Sequence, residues 1–167
     1  LDQRDNLSAC LSAGQTGTAP VQVTLMGAGP GDPELLTIKA LRALEGAELL
    51  LYDHLVSEAI LSLAPASAER IYVGKESSRH TMPQDEIGKL MIKLAREGRR
   101  VLRIKGGDGY IFGRGGEEAQ ALAEAGVPFS VIPGITAAQG AAATVGIPLT
   151  HRDHSRALVL ATGHLQD

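Results

Sequence analysis

The sequence predicts an α/β fold, in which a mostly parallel sheet is flanked by helices on both faces. Short apolar runs that suit buried strands alternate along the chain with longer segments whose apolar residues recur at helical spacing. Such alternation is typical of parallel sheets, because each helix returns the chain to the starting edge of the sheet. Glycine-rich turns follow several of the predicted strands, which supports the same architecture.

The predicted strands are short enough to be buried on both faces of a sheet. They lie at residues 21–26, 48–52, 70–73, 100–104, 128–132 and 157–161. The first runs directly into a glycine-rich turn, and the others are separated by helical segments. The strand order along the chain is therefore that of a wound sheet.

Helices are predicted at residues 34–45, 57–63, 83–97, 117–125 and 136–145. The pattern is clearest in segment 83–97, which has proline in its first turn and glycine after its end. Its apolar residues fall at i, i+3, i+4 and i+7, the spacing of one buried face, at Ile87, Leu90, Met91 and Leu94. Segment 34–45 has threefold apolar spacing and a natural stop at Gly46.

The composition is that of an ordinary globular domain. Of 167 residues, 44% are hydrophobic and 21% are charged, and no run approaches the roughly 20 apolar residues of a membrane-spanning helix. Residues 1–20 carry scattered charges and no apolar core, so we interpret them as a flexible leader or linker. Residues 21–167 form the predicted α/β domain, and we expect a cytoplasmic protein without a membrane partner.

Charge and side-chain chemistry exclude several classes of partner. The formal net charge of −3 and the absence of tryptophan disfavour a nucleic-acid binder, which usually presents a basic surface and stacking aromatics. Cys10 is the only cysteine, so no intrachain disulfide can form. The five histidines lack the spacing of a zinc site, and we predict no metal.

Unusual residues cluster where the predicted strands end. Ligands bind outside the carboxyl ends of the strands in an open parallel sheet. Glycine, aspartate or lysine follows five of the strands, in segments 27–32, 52–53, 74–75, 105–108 and 133–137. We therefore predict one composite site along this edge, although any one loop alone would be a weak signal.

Two of these loops differ in how strongly they indicate a bound ligand. Residues 27–32 (GAGPGD) resemble a dinucleotide fingerprint, but Pro30 lacks the N–H that a phosphate requires and the third glycine is missing. A tight turn without a ligand is an equally good interpretation there. Gly106 and Gly107 let a ligand lie against bare backbone, where Asp108 can accept hydrogen bonds from its hydroxyl or amino groups.

Asp53 and Lys75 follow neighbouring predicted strands. A carboxylate and an ammonium group at one edge of the sheet could move protons. An ordinary surface ion pair, which contributes little to stability, is the alternative, and these two residues alone would favour it.

Taken together, these loops resemble the tetrapyrrole methylase family, and within it the uroporphyrinogen-III C-methyltransferases, either free-standing or as the methylase part of a sirohaem synthase. The resemblance covers residues 21–164 and rests on several independent motifs in the family's order. They are GAGPGDPELLT (27–37), LYDHLV (51–56), RIKGGDGYIFGRGGEE (103–118), PGITAA (133–138), GIPLTHR (146–152) and TGH (162–164).

The resemblance implies two α/β domains with the cofactor in the cleft between them. It implies that S-adenosylmethionine donates methyl groups to C2 and C7 of uroporphyrinogen III, through precorrin-1, to give precorrin-2 for sirohaem or cobalamin. It also implies a homodimer, a proton acceptor at Asp53 and a proton donor at Lys75. The implied cofactor-binding positions are Pro30, Gly106, Gly107, Asp108, Ile111, Thr136 and Ala137.

Substrate charge adds two candidates. Uroporphyrinogen carries eight carboxylates, and arginine suits paired contacts with carboxylates, so we expect Arg114 and Arg152 to bind it.

The sequence departs from the family in two ways. Gly109 stands where the family usually has proline, which loosens the loop. The second domain is missing after Asp167, so we expect this chain to be the N-terminal half, which alone binds the cofactor weakly and turns over poorly.

Three other interpretations remain open. One keeps the enzyme class and changes the substrate to another precorrin of the cobalamin pathway. Another is a non-catalytic fragment or assembly module that keeps the fold without the chemistry. A nicotinamide dehydrogenase is a distant third, because Pro30 and the missing fingerprint glycine disfavour it.

Overall fold

Five parallel strands form one sheet in the computed structural model, which describes residues 20–74 and 83–163. The strands are β1 (Val23–Gly27), β2 (Leu49–Tyr52), β3 (Glu69–Tyr72), β4 (Val101–Lys105) and β5 (Phe129–Ile132). They lie in the order β3-β2-β4-β1-β5, and all neighbouring pairs are parallel. The predicted parallel α/β architecture is confirmed, and each of these strands lies within two residues of its predicted place.

The helices follow the strands in the predicted alternation. They are α1 (Ile38–Glu45), α2 (Glu58–Leu61), α3 (Gln84–Arg96), α4 (Gly115–Glu124) and α5 (Ala137–Val145). A short 3-10 turn, Pro33–Leu35, precedes α1. The predicted leader, apart from Pro20, lies outside the described residues.

Each face of the sheet has its own apolar core, because successive residues of a strand point to opposite sides. On one face, Leu25 and Leu51 pack with the buried side of α3 and α4. On the other, Met26, Leu50 and Ile104 pack with α1 and α2. The prediction of helices on both faces is therefore confirmed.

The predicted helix 34–45 is wrong in its first turn, because two capping residues divide the segment. Asp32 caps the 3-10 turn by accepting a hydrogen bond from the Glu34 amide at 2.9 Å. Leu36 and Thr37 are then extended, and the Thr37 hydroxyl accepts from the Ala40 amide at 3.1 Å to start α1. Because apolar residues recur every three positions on both sides of this break, the sequence pattern did not reveal it.

The predicted strand at 157–161 is also wrong, because these residues make no ladder with any strand in the described ranges. They follow a turn in which His151 and Ser155 exchange backbone hydrogen bonds of 2.7 and 2.9 Å. The apolar side chains stay exposed, and Val159 is 86% accessible. An apolar run forms a strand only where a neighbouring strand offers its backbone groups.

The described residues offer neither a helix suited to a membrane nor a group of side chains suited to a metal ion. No helix in residues 20–74 or 83–163 has the length and hydropathy to cross a bilayer. In the same ranges, no group of three or more His, Cys, Asp or Glu side chains is placed to hold a metal ion.

Candidate active site

The loops after β1, β2, β4 and β5 lie at one edge of the sheet, because all the strands run in the same direction. We call this edge the carboxyl rim and define it as residues 27–32, 53–56, 106–114 and 133–136. It is the position at which open parallel sheets bind ligands. Four of the five loops predicted to form a composite site therefore lie at this edge, and Lys75 of the fifth lies outside the described residues.

Backbone contacts fasten three rim loops together. Gly29 and Gly107 donate to each other's carbonyl oxygens, at 3.1 and 2.7 Å. A side chain at Gly27 would place its Cβ 2.7 Å from both the Gly107 oxygen and the Gly134 nitrogen. Glycine is required where three backbones approach this closely, and Gly107 also has a φ of +64°.

Asp108 ties the loop after β4 to the loop after β5. Its Oδ1 accepts from the Tyr110 amide at 2.8 Å, which folds its own loop. Its Oδ2 accepts from the Gly134 amide at 3.0 Å, across 26 residues of sequence. The carboxylate expected to face a ligand thus already holds the rim in shape, and its remaining lone pairs are what a ligand could use.

The other predicted cofactor positions lie on or beside the same rim. Gly107 lies next to the start of α5, where a Cβ on it would be 3.6 Å from the Ala137 nitrogen. Thr136 begins α5 but makes no side-chain cap hydrogen bond. On the other side, Gly106 faces Leu55, where a Cβ would lie 2.9 Å from the Leu55 Cβ.

Two exposed apolar groups border these backbone positions. Pro30 is exposed and packs on α5, where a Cβ on Gly140 would lie 2.7 Å from its Cγ. Ile111 is 38% accessible, and its amide donates to the Asp108 carbonyl at 3.2 Å. The rim therefore presents an apolar border next to polar backbone.

Asp53 is held from both sides at the end of β2. Its Oδ1 accepts from the Leu55 amide at 3.0 Å, and its Oδ2 accepts from Arg103 Nη2 at 3.1 Å. Only 18% of its side chain is accessible. The candidate proton acceptor is thus a fixed carboxylate that is still reached by solvent.

Arg103 is a site residue that our sequence reasoning missed. It lies in the middle of β4 with its side chain 2% accessible, between Leu25 of β1 and Leu51 of β2 in the register. Besides Asp53, its guanidinium donates from Nη1 to the Ile104 carbonyl at 2.8 Å and from Nε to Glu118 Oε1 at 3.2 Å. A buried charge requires partners of this kind.

The carboxylate of Glu118, on α4, accepts hydrogen bonds from several side chains in addition to Arg103. Its Oε1 also accepts from Lys105 Nζ and from Gln84 Nε2, both at 2.9 Å, while none of its side chain is accessible. We call Asp53, Arg103, Lys105 and Glu118 the buried charge cluster. Burial lowers the pKa of the Lys105 ammonium and Arg103 lowers it further, against the opposing effect of Glu118.

A sequence signal for this cluster did exist. In the segment 101–105, VLRIK, cations occupy alternate positions of an otherwise apolar run that ends in a candidate site. Because Arg and Lys are almost never buried without partners, such a strand predicts an acidic residue on the helix that covers it. The paired glutamates at 117 and 118 offered that residue, but the sequence could not say which of them points inward.

The remaining predicted residues are placed differently. Lys75 lies outside the described residues. Arg114 is already bound to Glu117 through contacts of 2.9 and 2.7 Å, which raise the pKa of Arg114 and lower that of Glu117. Arg152 lies in the exposed turn 151–155, and in the described part of the chain no ion pair engages its side chain.

A family model for tetrapyrrole (corrin/porphyrin) methylases matches residues 22–167 of this chain. The chain belongs to this family. The siroheme synthase of Thioalkalivibrio sulfidiphilus is 56% identical over 165 residues, which cover 98% of this chain and 34% of that protein. This tetrapyrrole methylase chain therefore spans about a third of the length of the curated relatives it matches.

Solved structures of tetrapyrrole methylases have the same fold. The uroporphyrin-III-C-methyltransferase of Thermus thermophilus matches with a TM-score of 0.69 and 54% identity, covering 78% of this chain and 55% of that one. Its complex with S-adenyl homocysteine matches with a TM-score of 0.66 and 47% identity, covering 81% and 53%. A cobalt precorrin-4 methyltransferase matches with a TM-score of 0.68 and 32% identity, covering 82% and 57%.

Proposed function

We propose that this tetrapyrrole methylase chain binds S-adenosylmethionine and contributes to methyl transfer onto C2 and C7 of uroporphyrinogen III, which gives precorrin-2. The observation that carries the proposal is the convergence of the 106–108 loop, Thr136 and Asp53 on one rim of the sheet. The similarity to an enzyme solved with S-adenyl homocysteine supports the same cofactor class.

The groups on the rim fit this cofactor. S-adenosylmethionine has no phosphate, so a turn that carries Pro30 loses nothing by lacking an N–H there. Its carboxylate suits the first turn of α5, where amide groups carry partial positive charge and Thr136 supplies no cap. Pro30 and Ile111 offer apolar surface to the adenine. Gly106, Gly107 and Ala137 carry no large side chain that would keep the cofactor away from the loop, and Asp108 accepts from its amino or hydroxyl groups.

The chemistry requires positioning more than a protein nucleophile. When bound, the cofactor would supply a methyl group on a sulfonium. A carbon–carbon bond to the electron-rich pyrrole carbon would form as the methyl–sulfur bond breaks, which leaves S-adenosylhomocysteine as the neutral thioether. Fixed loops contribute by holding the reacting atoms at the right distance and angle. Asp53 serves as the base that removes the proton lost from the ring system, and Lys75 is proposed as the matching donor.

Substrate binding is proposed for Arg152 and Arg114. Within the described ranges, no ion pair has to be broken before Arg152 meets a carboxylate, whereas Arg114 must first leave Glu117. In the active protein, Arg152→Ala should raise KM for uroporphyrinogen III more than KM for the cofactor. Equal changes in the two KM values would refute this assignment.

A second domain is proposed to complete the site. Gly140 is the only buried residue of α5, and Val145 and Ile147 beyond the rim are 66% and 62% accessible. A second wall would cover this surface, as would the homodimer implied by the family. Calorimetry of the 167-residue chain should then show cofactor binding weaker than micromolar, and tighter binding would contradict a shared site.

The decisive experiment restores a second domain. The part of the Thermus thermophilus enzyme beyond the matched region is fused after Asp167. The chimera is then incubated anaerobically, because a porphyrinogen oxidises in air, with uroporphyrinogen III and methyl-labelled S-adenosylmethionine. Two labelled methyl groups on the product are expected, and Asp53→Asn should slow their transfer strongly while leaving a measurable residual rate. A folded chimera that binds the cofactor but transfers no methyl group would favour a non-catalytic module.

A second candidate substrate follows from the match to cobalt precorrin-4 methyltransferase. That similarity favours a later precorrin of the cobalamin pathway. Carbon NMR of the labelled product distinguishes the two, because methyl groups at C2 and C7 give different signals from those at other ring positions.

A further inference from the structure

The buried charge cluster is larger than the proposed chemistry requires. Asp53 alone would serve as a base, yet three more charged groups are buried next to it. The side chains of Arg103 and Glu118, for example, are only 2% and 0% accessible. Each group removed from water carries a desolvation cost that its pairing only partly offsets. The cluster is therefore a poor means of stabilising the fold, and its geometry calls for another explanation.

The connections of the cluster run in one direction, from helix to rim. Glu118 of α4 accepts from Arg103 Nε at 3.2 Å, and the far end of the same guanidinium donates to Asp53 at 3.1 Å. Because a guanidinium is planar and rigid, fixing its Nε edge fixes the direction of Nη2. The orientation of Asp53 is thus set at a buried carboxylate on a different element.

Glu118 is also fixed in its own place. Lys105 and Gln84 donate to the same Oε1 that receives Arg103, from β4 and α3 respectively. Within residues 20–74 and 83–163, no hydrogen-bond donor reaches its second oxygen, Oε2, which is buried. Three donors concentrated on one oxygen hold the carboxylate in one orientation, because buried polar groups keep their hydrogen bonds.

We propose that Glu118 is a positioning residue for Asp53, acting through the Arg103 guanidinium. This proposal rests on the proposed function, in that Asp53 is taken as the base. Glu118 touches no reacting group itself. It holds Arg103 against α4, and Arg103 holds the Asp53 carboxylate toward the rim while the Leu55 amide holds its other oxygen.

The first test measures orientation in the 167-residue chain and needs no activity. Glu118→Gln keeps an oxygen acceptor of the same shape and removes the charge. We expect faster water exchange at the Arg103 Nε–H and a shifted NMR signal of the Leu55 amide, which reports on Asp53 Oδ1. Glu124→Gln on the same helix, an exposed residue that accepts from Gln120, is the matched control and should change neither signal.

The second test measures coupling in the active chimera. Glu118→Gln should lower kcat roughly 10- to 100-fold while KM for S-adenosylmethionine stays within about twofold, the pattern of a misplaced reacting group. If Glu118 acts only through Asp53, the double variant Glu118→Gln/Asp53→Asn should be no slower than Asp53→Asn alone. Independent, multiplying losses would overturn the proposal.

The two tests separate this inference from the proposed function. A wild-type chimera without methyl transfer would refute the proposed function, while the Arg103 and Leu55 signals would still decide whether Glu118 orients Asp53. An active chimera in which Glu118→Gln leaves both signals and kcat unchanged would refute the positioning role alone.

Discussion

The two faces of strand β4 are equally buried but chemically opposite. Leu102 and Ile104 point to the α1 and α2 side and are 5% and 0% accessible. Arg103 and Lys105 point to the other side and are 2% and 5% accessible. Burial alone therefore does not determine which residue types this strand carries. The difference between its two faces has to be explained by the role of each face.

The apolar face stabilises the fold through burial, whereas we propose that the charged face serves the candidate site. Apolar side chains gain roughly 25 cal/mol for each Å² removed from water, whatever lies at the rim. Buried ion pairs often do no better than apolar residues of similar volume, although in some proteins they fix a particular geometry. On the charged face, the hydrogen bonds of Arg103 reach Asp53. On the apolar face, the side chains pack against those of α2.

The largest effect is expected from removing the centre of the charged face. Glu118→Ala leaves Arg103 and Lys105 buried without their shared anion, which should cost about 3–5 kcal/mol of unfolding free energy. Urea unfolding followed by circular dichroism measures this. Glu124→Ala on the exposed side of the same helix should stay within about 0.5 kcal/mol, and similar losses in both variants would contradict the comparison.

An alkaline pH series sharpens the comparison by isolating one cation. The pKa of Lys105 is lowered on folding, so between that lowered value and the ordinary lysine value the unfolded chain holds more protons. The contribution of Lys105 to stability should therefore rise with pH across this window. Lys105→Met should flatten the rise in unfolding free energy, whereas Lys93→Met, which alters an exposed lysine, should leave the slope intact.

A smaller and simpler loss is expected on the apolar face. Ile104→Val removes one methylene from a fully buried side chain and should cost about 0.5–1.5 kcal/mol in the same urea assay. The Ile104 side chain takes no part in the hydrogen bonds of Arg103 or of the Asp53 carboxylate, since Arg103 uses the Ile104 carbonyl, so the Arg103 and Leu55 NMR signals should not move. Displacement of either signal would show that the two faces are coupled.

The smallest effect concerns the rim loop itself. Gly109 has no positive φ, and its amide donates no backbone hydrogen bond within the described residues, so a proline fits its chemistry. Gly109→Pro should raise the unfolding free energy by about 0.4–1 kcal/mol by restricting the unfolded chain. Gly109→Ala is the control, because it adds the same Cβ near Lys105 Cδ at 3.3 Å without closing a ring.

Much of the fold could be predicted because strand and helix periodicities are local properties. Segment 83–97 became α3 almost unchanged, since one apolar stripe and two end signals agree. The two errors arose where local pattern was insufficient. Thr37 interrupts a helix that apolar spacing continues through, and residues 157–161 are a strand-like sequence without a strand to pair with.

The edge of the sheet that carries the candidate site could be predicted from the sequence. The hydrogen-bond network within the candidate site could not. Motif order brought Gly106, Asp108 and Thr136 to one edge, because all strands are parallel. The sequence did not reveal that Asp108 ties two loops together, since the Gly134 amide lies 26 residues away. Nor did it identify Arg103 and Glu118, whose contact depends on which side of α4 faces β4.

The reciprocal hydrogen bonds between Gly29 and Gly107 join the turn after the first strand to the turn after the fourth. These two turns, far apart in sequence, are thus held together. Neither turn can move by itself to fit a ligand. A molecule that fits finds both halves already assembled and loses little of its affinity to ordering them. One that is slightly too large would have to break both hydrogen bonds at once, which predicts discrimination by shape at the level of the backbone.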